Sequence, residues 1–188
     1  MRRVDVSAVL LALVSIFYPL IATIVVRNYG PIWVLAGLFV LLALRALPNF
    51  RRHIPGALTY ALVAVAALLL VVTFFDMHLS VRLYPAFMNA AMLLTFGYTL
   101  RHGPPMIERF ARIVEPNLPE SGVRYTRAVT WVWVMFFFIN GLIASYTALY
   151  SDWAAWTLYN GVIAYIAMGA LFGGELLVRP YFRRASNP

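Results

Sequence analysis

The chain has 188 residues, of which 63% are hydrophobic and only 12% are charged, and its mean hydropathy is +0.80. An ordinary soluble domain is excluded, because such a domain has roughly half apolar and a quarter charged residues. The net charge of +8 comes from 15 basic residues, all arginine; in so apolar a chain this excess indicates membrane topology rather than a nucleic-acid partner. Cysteine is absent, which excludes disulfides and cysteine metal sites.

Six apolar segments are candidates for membrane spans, since about 20 apolar residues cross the hydrocarbon core as a helix. The first ends at the turn sequence from Arg27 to Pro31, the second ends ahead of Pro48, and the third ends at Asp76. The first segment is longer than the apolar core of a signal peptide, so we interpret it as a span. The sequence therefore predicts an all-α, polytopic membrane protein that forms one integral membrane domain over residues 1–188. The predicted spans are about 6–26, 32–47, 57–75, 83–100, 128–150 and 153–178.

The long polar stretch at residues 101–127 is predicted to be a cytoplasmic loop that contains a short helix. Pro105 suits a first helical turn, and Pro116 would end the helix. Between them, apolar and charged residues alternate at helical spacing, as in an amphipathic helix at a membrane interface. The predicted apolar face holds Met106, Ile107, Phe110, Ile113 and Val114, and the predicted solvated face holds Glu108, Arg109, Arg112 and Glu115.

The distribution of arginine between alternate loops predicts the orientation. If the N-terminus is cytoplasmic, thirteen of the 15 arginines lie on the cytoplasmic side, and only Arg27 and Arg82 lie on the other. Cytoplasmic loops carry such an excess of basic residues. We therefore expect a multi-pass protein of a bacterial inner (cytoplasmic) membrane with both termini in the cytoplasm.

No constellation typical of an enzyme is visible in the sequence. There is no histidine followed by aspartate at acyltransferase-like spacing, no pair of aspartates at metal-ligand spacing and no glycine-rich phosphate loop. His53, His78 and His102 all fall in predicted loops. We therefore predict no catalytic residue, no metal site and no cofactor, and we expect a non-enzymatic protein rather than an enzyme.

Glu175 is the one acidic residue predicted to lie inside a span, and an ionisable group there is a functional candidate. It precedes Arg179 by four residues, so an i,i+4 ion pair at the membrane interface is the simpler interpretation. A proton-linked or substrate-contacting role is the alternative.

Three asparagines interrupt predicted spans: Asn89, Asn140 and Asn160. The helical rise of about 1.5 Å per residue places all three in the outer half of the membrane, where they could meet. One interpretation is a set of hydrogen bonds between helices, with close approach at the glycines that follow two of them. The other is a polar pocket for a lipid-linked or amphiphilic ligand, which would also involve Tyr84, Tyr146 and Tyr159.

The polar stretch is also a candidate docking surface for a cytoplasmic partner or for an anionic phosphopantetheine or phospholipid group. A solvated basic loop is the alternative. The candidate docking residues are His102, Glu108, Arg109, Arg112, Glu115, Arg124, Tyr125 and Arg127.

Two long strings in the second half of the chain resemble a known family. GPPMIERFARIVEPNLPESGVRYTR and VWVMFFFINGLIASYTALYSDWAAWTLYNGVIAYIAMGALFGGELLVR resemble predicted bacterial inner-membrane proteins encoded in aryl polyene and xanthomonadin-type pigment clusters. The similarity runs from about Tyr84 to Arg179. A weaker similarity, in the order of spans and the pattern from Phe136 to Tyr146, links the chain to intracellular septation protein A.

The first resemblance implies a context. Such clusters build polyenes on acyl carrier proteins with soluble enzymes, and the pigment becomes attached to lipid. It therefore implies a non-enzymatic inner-membrane accessory protein for pigment or lipid-linked envelope assembly, with membrane lipids, acyl carrier protein or soluble polyene-synthesis enzymes as partners. Ketosynthase activity, a name given to some relatives, is excluded by the absence of cysteine. The alternatives are an acyl-transfer or flipping protein with its site among Asn89, Asn140, Asn160 and Glu175, and a septation-protein-like envelope organiser.

Overall fold

The computed structural model describes residues 18–46 and 56–185. All regular structure in these two ranges is helical, which confirms the all-α prediction. The eight α-helices are α1 (Tyr18–Tyr29), α2 (Pro31–Ala46), α3 (Gly56–Phe75), α4 (Met77–Arg101), α5 (Met106–Val114), α6 (Glu120–Tyr150), α7 (Trp153–Leu158) and α8 (Ala164–Ala185). A π-helical turn, Tyr159–Ile163, joins α7 to α8 without a break.

Four helical segments of the described chain are long and apolar enough to cross a membrane: Leu58–Phe75, Met77–Arg101, Glu120–Tyr150 and Trp153–Val178. The prediction of a membrane protein with transmembrane helices is therefore confirmed at this level. α2 is a shorter apolar helix, and α1 covers only the later part of the predicted first span, whose residues 6–17 lie outside the described ranges. The count of six spans stays a prediction.

The connections within this bundle are short and are fixed by local capping. Asp76 alone separates α3 from α4, and its carboxylate accepts a hydrogen bond from the amide of Leu79 at 3.0 Å. The cap allows α4 to begin at Met77, so the predicted start of this span at about residue 83 is too late. Asp152 caps α7 in the same way, through the amide of Ala155 at 2.7 Å.

α6 begins at Glu120 rather than at about residue 128, so the prediction of a loop up to residue 127 is wrong from this point on. Pro119 lies at the N-cap, and Glu120 places a negative charge in the first turn, where the helix dipole favours it. A helix need not end where its apolar residues end. Consequently Arg124, Tyr125 and Arg127 lie on the first turns of α6.

α5 is present where the sequence predicted an amphipathic helix, and two threonines hold its N-terminus. The amide of Met106 donates to the Thr99 hydroxyl of α4 at 3.0 Å, and the amide of Ile107 donates to the Thr130 hydroxyl of α6 at 3.4 Å. These amides belong to the first turn, which has no acceptors within its own helix. α5 is thereby attached to both long helices.

Two interruptions of regular helix geometry are compensated by side chains. Pro85 in α4 has no N–H to donate to the carbonyl of Val81, and the Tyr18 hydroxyl donates to that carbonyl at 3.1 Å. In the π-helical turn, the Asn160 carboxamide donates to the carbonyl of Trp156 at 2.9 Å. Backbone groups within a membrane need such partners because no water is available.

α4 is the central helix, packed against α3 on one side and α6 on the other. The main core, which includes the fully buried Trp156, Leu69 and Val81, lies around its first half. α8 is peripheral, since Ala164 is the one buried residue in its part up to Val178. Because α8 is loosely packed, there is space between it and α6.

Replacing Tyr18 by phenylalanine should lower the free energy of unfolding by about 1 kcal/mol, because the Val81 carbonyl loses its partner. In a Pro85→Ala background the same replacement should have a much smaller effect, since an alanine at residue 85 supplies the missing backbone donor. Unfolding in detergent by sodium dodecyl sulfate titration measures both effects. Tyr60→Phe, at an exposed position of α3, is the matched control. An equal cost of Tyr18→Phe in the two backgrounds would contradict this account.

Candidate functional site

Polar side chains connect α4 and α6 at three levels, beginning with Arg82 at one end of the bundle. The Arg82 Nη2 donates to the carbonyl of Thr147 at 2.6 Å and also to the carbonyl of Ser151. Its guanidinium carbon lies 5.7 Å from the centre of the Trp153 ring. A cation is stabilised at the carboxyl end of a helix by the helix dipole. Arg82 therefore caps α6.

The opposite end of the pair, where α5 lies, has the reciprocal contact. The Arg127 Nη2 of α6 donates to the carbonyl of Leu100 in the last turn of α4 at 2.9 Å. Each of the two antiparallel helices thus caps the carboxyl end of the other. These caps could not be predicted from the sequence, since the acceptors are backbone carbonyls remote in the chain.

The middle level brings two of the predicted asparagines together. The Asn140 Nδ2 donates to the Asn89 Oδ1 at 2.9 Å, and the Tyr159 hydroxyl donates to the Asn140 Oδ1 at 2.8 Å. A Cβ atom on Gly141 would lie 3.1 Å from the Asn89 Cβ, so the helices approach closely here. This is the interhelical arrangement that the sequence suggested as one of two possibilities.

Asn160 does not bond to the other two asparagines but lines the same cavity of about 370 Å³. Its Nδ2 donates to the Thr147 hydroxyl at 3.1 Å as well as to the carbonyl of Trp156. Tyr84 lines this cavity as predicted, whereas Tyr146 is 62% exposed and lies outside it. The lining also includes two tyrosines that sequence reasoning missed, because nothing in the local pattern of their helices sets them apart: Tyr18 and Tyr165.

Glu175 lies apart from the asparagines, so the four predicted intramembrane polar residues do not form one cluster. The Tyr125 hydroxyl of α6 lies 3.5 Å from the Glu175 Oε1, and this long contact joins the start of α6 to α8. The predicted pairing with Arg179 lies outside the described side chains. Glu175 is therefore a residue of the α6–α8 interface.

A cleft of about 670 Å³ separates the first half of α6 from α8. Polar side chains line it near α5, and apolar side chains line the rest, so the cleft is amphipathic along its length. The polar residues are Ser121, Arg124, Tyr125 and Glu175. The apolar residues include Ala128, Val132, Trp133, Ala170, Leu171 and Val178. A smaller cavity of about 360 Å³ beside α5 shares Val129, Trp133 and Glu175 with this cleft.

The charged residues of α5 form an ion pair and hydrogen bonds with other residues of the chain. Glu108, predicted on the solvated face, is only 4% exposed and forms an ion pair with Arg112 at 2.7 Å. That prediction is wrong, because Arg112 supplies the counter-charge that a buried carboxylate needs. The Arg109 Nε donates to the carbonyl of Pro104 at 2.9 Å. The predicted docking residues therefore do not form one free charged surface.

The two described histidines, His78 and His102, do not lie in a metal-binding arrangement. His102 stacks on Tyr98 with ring centres 4.3 Å apart, and His78 lies in the first turn of α4 rather than in a loop. His53 lies outside the described residues. Within residues 18–46 and 56–185, no group of three or more histidine, aspartate or glutamate side chains could hold a metal ion.

Asn140→Ala should lower the free energy of unfolding more than Asn89→Ala does, because the Asn140 carboxamide bonds to Asn89 and Tyr159 in other helical segments. The second bond of Asn89 goes to the Pro85 carbonyl of its own helix. Each interhelical hydrogen bond in a membrane contributes about 1 kcal/mol. The double variant should cost less than the sum of the single ones, and detergent unfolding measures the difference. Asn28→Ala, at an exposed position, is the control. Additive costs would show that the two asparagines are not coupled.

Arg82→Gln should lower the thermal unfolding midpoint in detergent by several degrees, since α6 loses its C-terminal cap and the cation beside Trp153. Arg101→Gln, an exposed arginine at the other end of α4, should change the midpoint little. Equal midpoints for the two variants would contradict the assigned role of Arg82.

The comparisons with known proteins add no relative to this description. The chain matches no protein-family model, no curated protein and no solved structure. The fold and the amphipathic cleft therefore carry the functional argument.

Proposed function

We propose that this chain is a non-enzymatic accessory protein of the bacterial inner membrane that binds a membrane amphiphile in the cleft between α6 and α8. Its pathway would be the assembly of a lipid-linked envelope product, of which aryl polyene or xanthomonadin-type pigment is the example that the sequence resemblance suggests. Membrane lipids are then its immediate partners.

The amphipathic cleft is the observation that carries this proposal. Its volume of about 670 Å³ falls within the usual range of ligand sites, roughly 300 to 1,000 Å³. One end offers a guanidinium, a carboxylate and hydroxyls, and the remainder is apolar. Because α8 is packed so lightly against the bundle, a lipid can enter sideways from the bilayer.

The arrangement of charges supports an orientation with the α5 end in the cytoplasm; with the six spans that the sequence predicts, both termini would then be cytoplasmic. The α5 end carries Arg101, Arg109, Arg112, Arg124 and Arg127, which makes it the cytoplasmic side under the positive-inside rule. α5 also exposes Phe110 and Ile113, apolar side chains that suit burial in the membrane interface. In this orientation, Arg82 lies on the other side and serves as a helix cap.

Recruitment of acyl carrier protein or soluble synthesis enzymes is part of the same proposal. Arg101 and Arg124 are exposed at the α5 end, where an acidic carrier protein would approach from the cytoplasm. A flipping role is the second candidate function. It is favoured by the separate cavity at Asn89, Asn140 and Asn160, which supplies polar contacts further along the bundle.

Gly174→Leu tests the cleft, because Gly174 lines it and a larger side chain would fill it. In a pigment-producing strain that lacks the gene, this variant should insert normally but restore at most about a tenth of the lipid-linked product, measured by mass spectrometry of extracted lipids. Gly169→Leu, on the same helix but away from the cleft, should restore it fully.

Full restoration by Gly174→Leu would contradict amphiphile binding in the cleft. A division or envelope defect in deletion strains that have no pigment cluster would instead favour the septation-protein-like alternative.

A further inference from the structure

We infer that the cleft between α6 and α8 selects a zwitterionic phospholipid with a primary ammonium group, such as phosphatidylethanolamine. The phosphate would bind Arg124 and the ammonium would bind Glu175. This inference rests on the proposed function, because it names the head group of the amphiphile that the same cleft holds.

Arg124 differs from Arg109, Arg112 and Arg127 in having no bonding partner among the described residues, and it differs from Arg101, which also has none, in lining the cleft. Arg112 is paired with Glu108, Arg109 is bonded to the carbonyl of Pro104, and Arg127 is bonded to Leu100. Arg124 forms no ion pair or hydrogen bond with any described residue, and it lines the polar end of the cleft. A guanidinium in this position is suited to a phosphate, which accepts charge-assisted hydrogen bonds.

Glu175 faces the same end of the cleft from α8 and is partly buried. Its carboxylate has a long contact with the Tyr125 hydroxyl, and among the described side chains, which do not include that of Arg179, it forms no ion pair. A carboxylate at the polar end of an otherwise apolar cleft attracts a cation that can donate hydrogen bonds to it. A ligand ammonium would supply this charge, whereas a purely anionic head group would be repelled.

The apolar wall beyond these two residues fits the upper part of an acyl chain. Arg124 and Trp133 are separated by about 13 Å along α6, taking about 1.5 Å per residue. Over this length the cleft is lined by Ala128, Val132 and Leu171, without a charged side chain. Trp133 lies beside this wall and can therefore report on an acyl chain bound there.

The test compares phospholipids with brominated acyl chains, which quench nearby tryptophan fluorescence. The purified full chain in detergent micelles is titrated with brominated phosphatidylethanolamine, phosphatidylcholine or phosphatidylglycerol. The Trp133 signal is the difference between the protein and its Trp133→Phe variant. Phosphatidylcholine keeps the phosphate but has no N–H donor, and phosphatidylglycerol has no cation.

We expect half-maximal quenching by phosphatidylethanolamine at a mole fraction about tenfold below that of the other two lipids, as one charge-assisted hydrogen bond allows. Glu175→Gln should remove most of this preference, and Arg124→Gln should weaken binding of phosphatidylethanolamine and phosphatidylcholine alike. Glu120→Gln and Arg27→Gln, at exposed positions, are matched controls, because neither residue lines the cleft.

Equal quenching of Trp133 by the three lipids would overturn the head-group assignment while amphiphile binding stands. Stronger quenching by phosphatidylglycerol would also overturn it, since the site would then select negative charge. Absence of Trp133 quenching by all three lipids would overturn the proposed function together with this inference.

Discussion

Backbone groups in a membrane must be satisfied by the protein itself, and this requirement organises the structure around α4 and α6. Arg82 satisfies carbonyls at the end of α6, and Arg127 does the same for α4. Tyr18 supplies the donor that Pro85 lacks. These contacts are directional, so they fix the register of the two helices more sharply than apolar packing alone would.

The fixed pair contrasts with the loosely packed final helix. α4 and α6 are joined at both ends and through Asn89 and Asn140, whereas α8 touches the start of α6 mainly near Tyr125 and Glu175. The π-helical turn between α7 and α8 begins at Tyr159, three residues after the buried Trp156. The α4–α6 side of the bundle is therefore held by several polar contacts, whereas the other side has a cleft between α6 and α8.

Hydropathy and proline positions were enough to predict the helical class, most helix limits and α5. They failed at Met77 and Glu120, where capping extends a helix beyond its apolar run. The meeting of Asn89 with Asn140 was foreseeable from depth in the membrane. The position of Glu175 away from the asparagines was not foreseeable. The depth of a residue in the membrane does not tell which face of its helix contacts a neighbouring helix. Likewise, the distribution of arginines indicated only the topological side of Arg82 and not its role as the cap of α6.

The two threonine contacts at the start of α5 make this helix sensitive to the spacing between α4 and α6. Thr99 holds the amide of Met106 from one helix, and Thr130 holds the amide of Ile107 from the other. Both bonds exist together only while the two hydroxyls keep their present separation. A sideways displacement of α6 relative to α4 would detach one end of this bridge. With such a displacement, α5 would convert a small movement inside the membrane into a change at its surface.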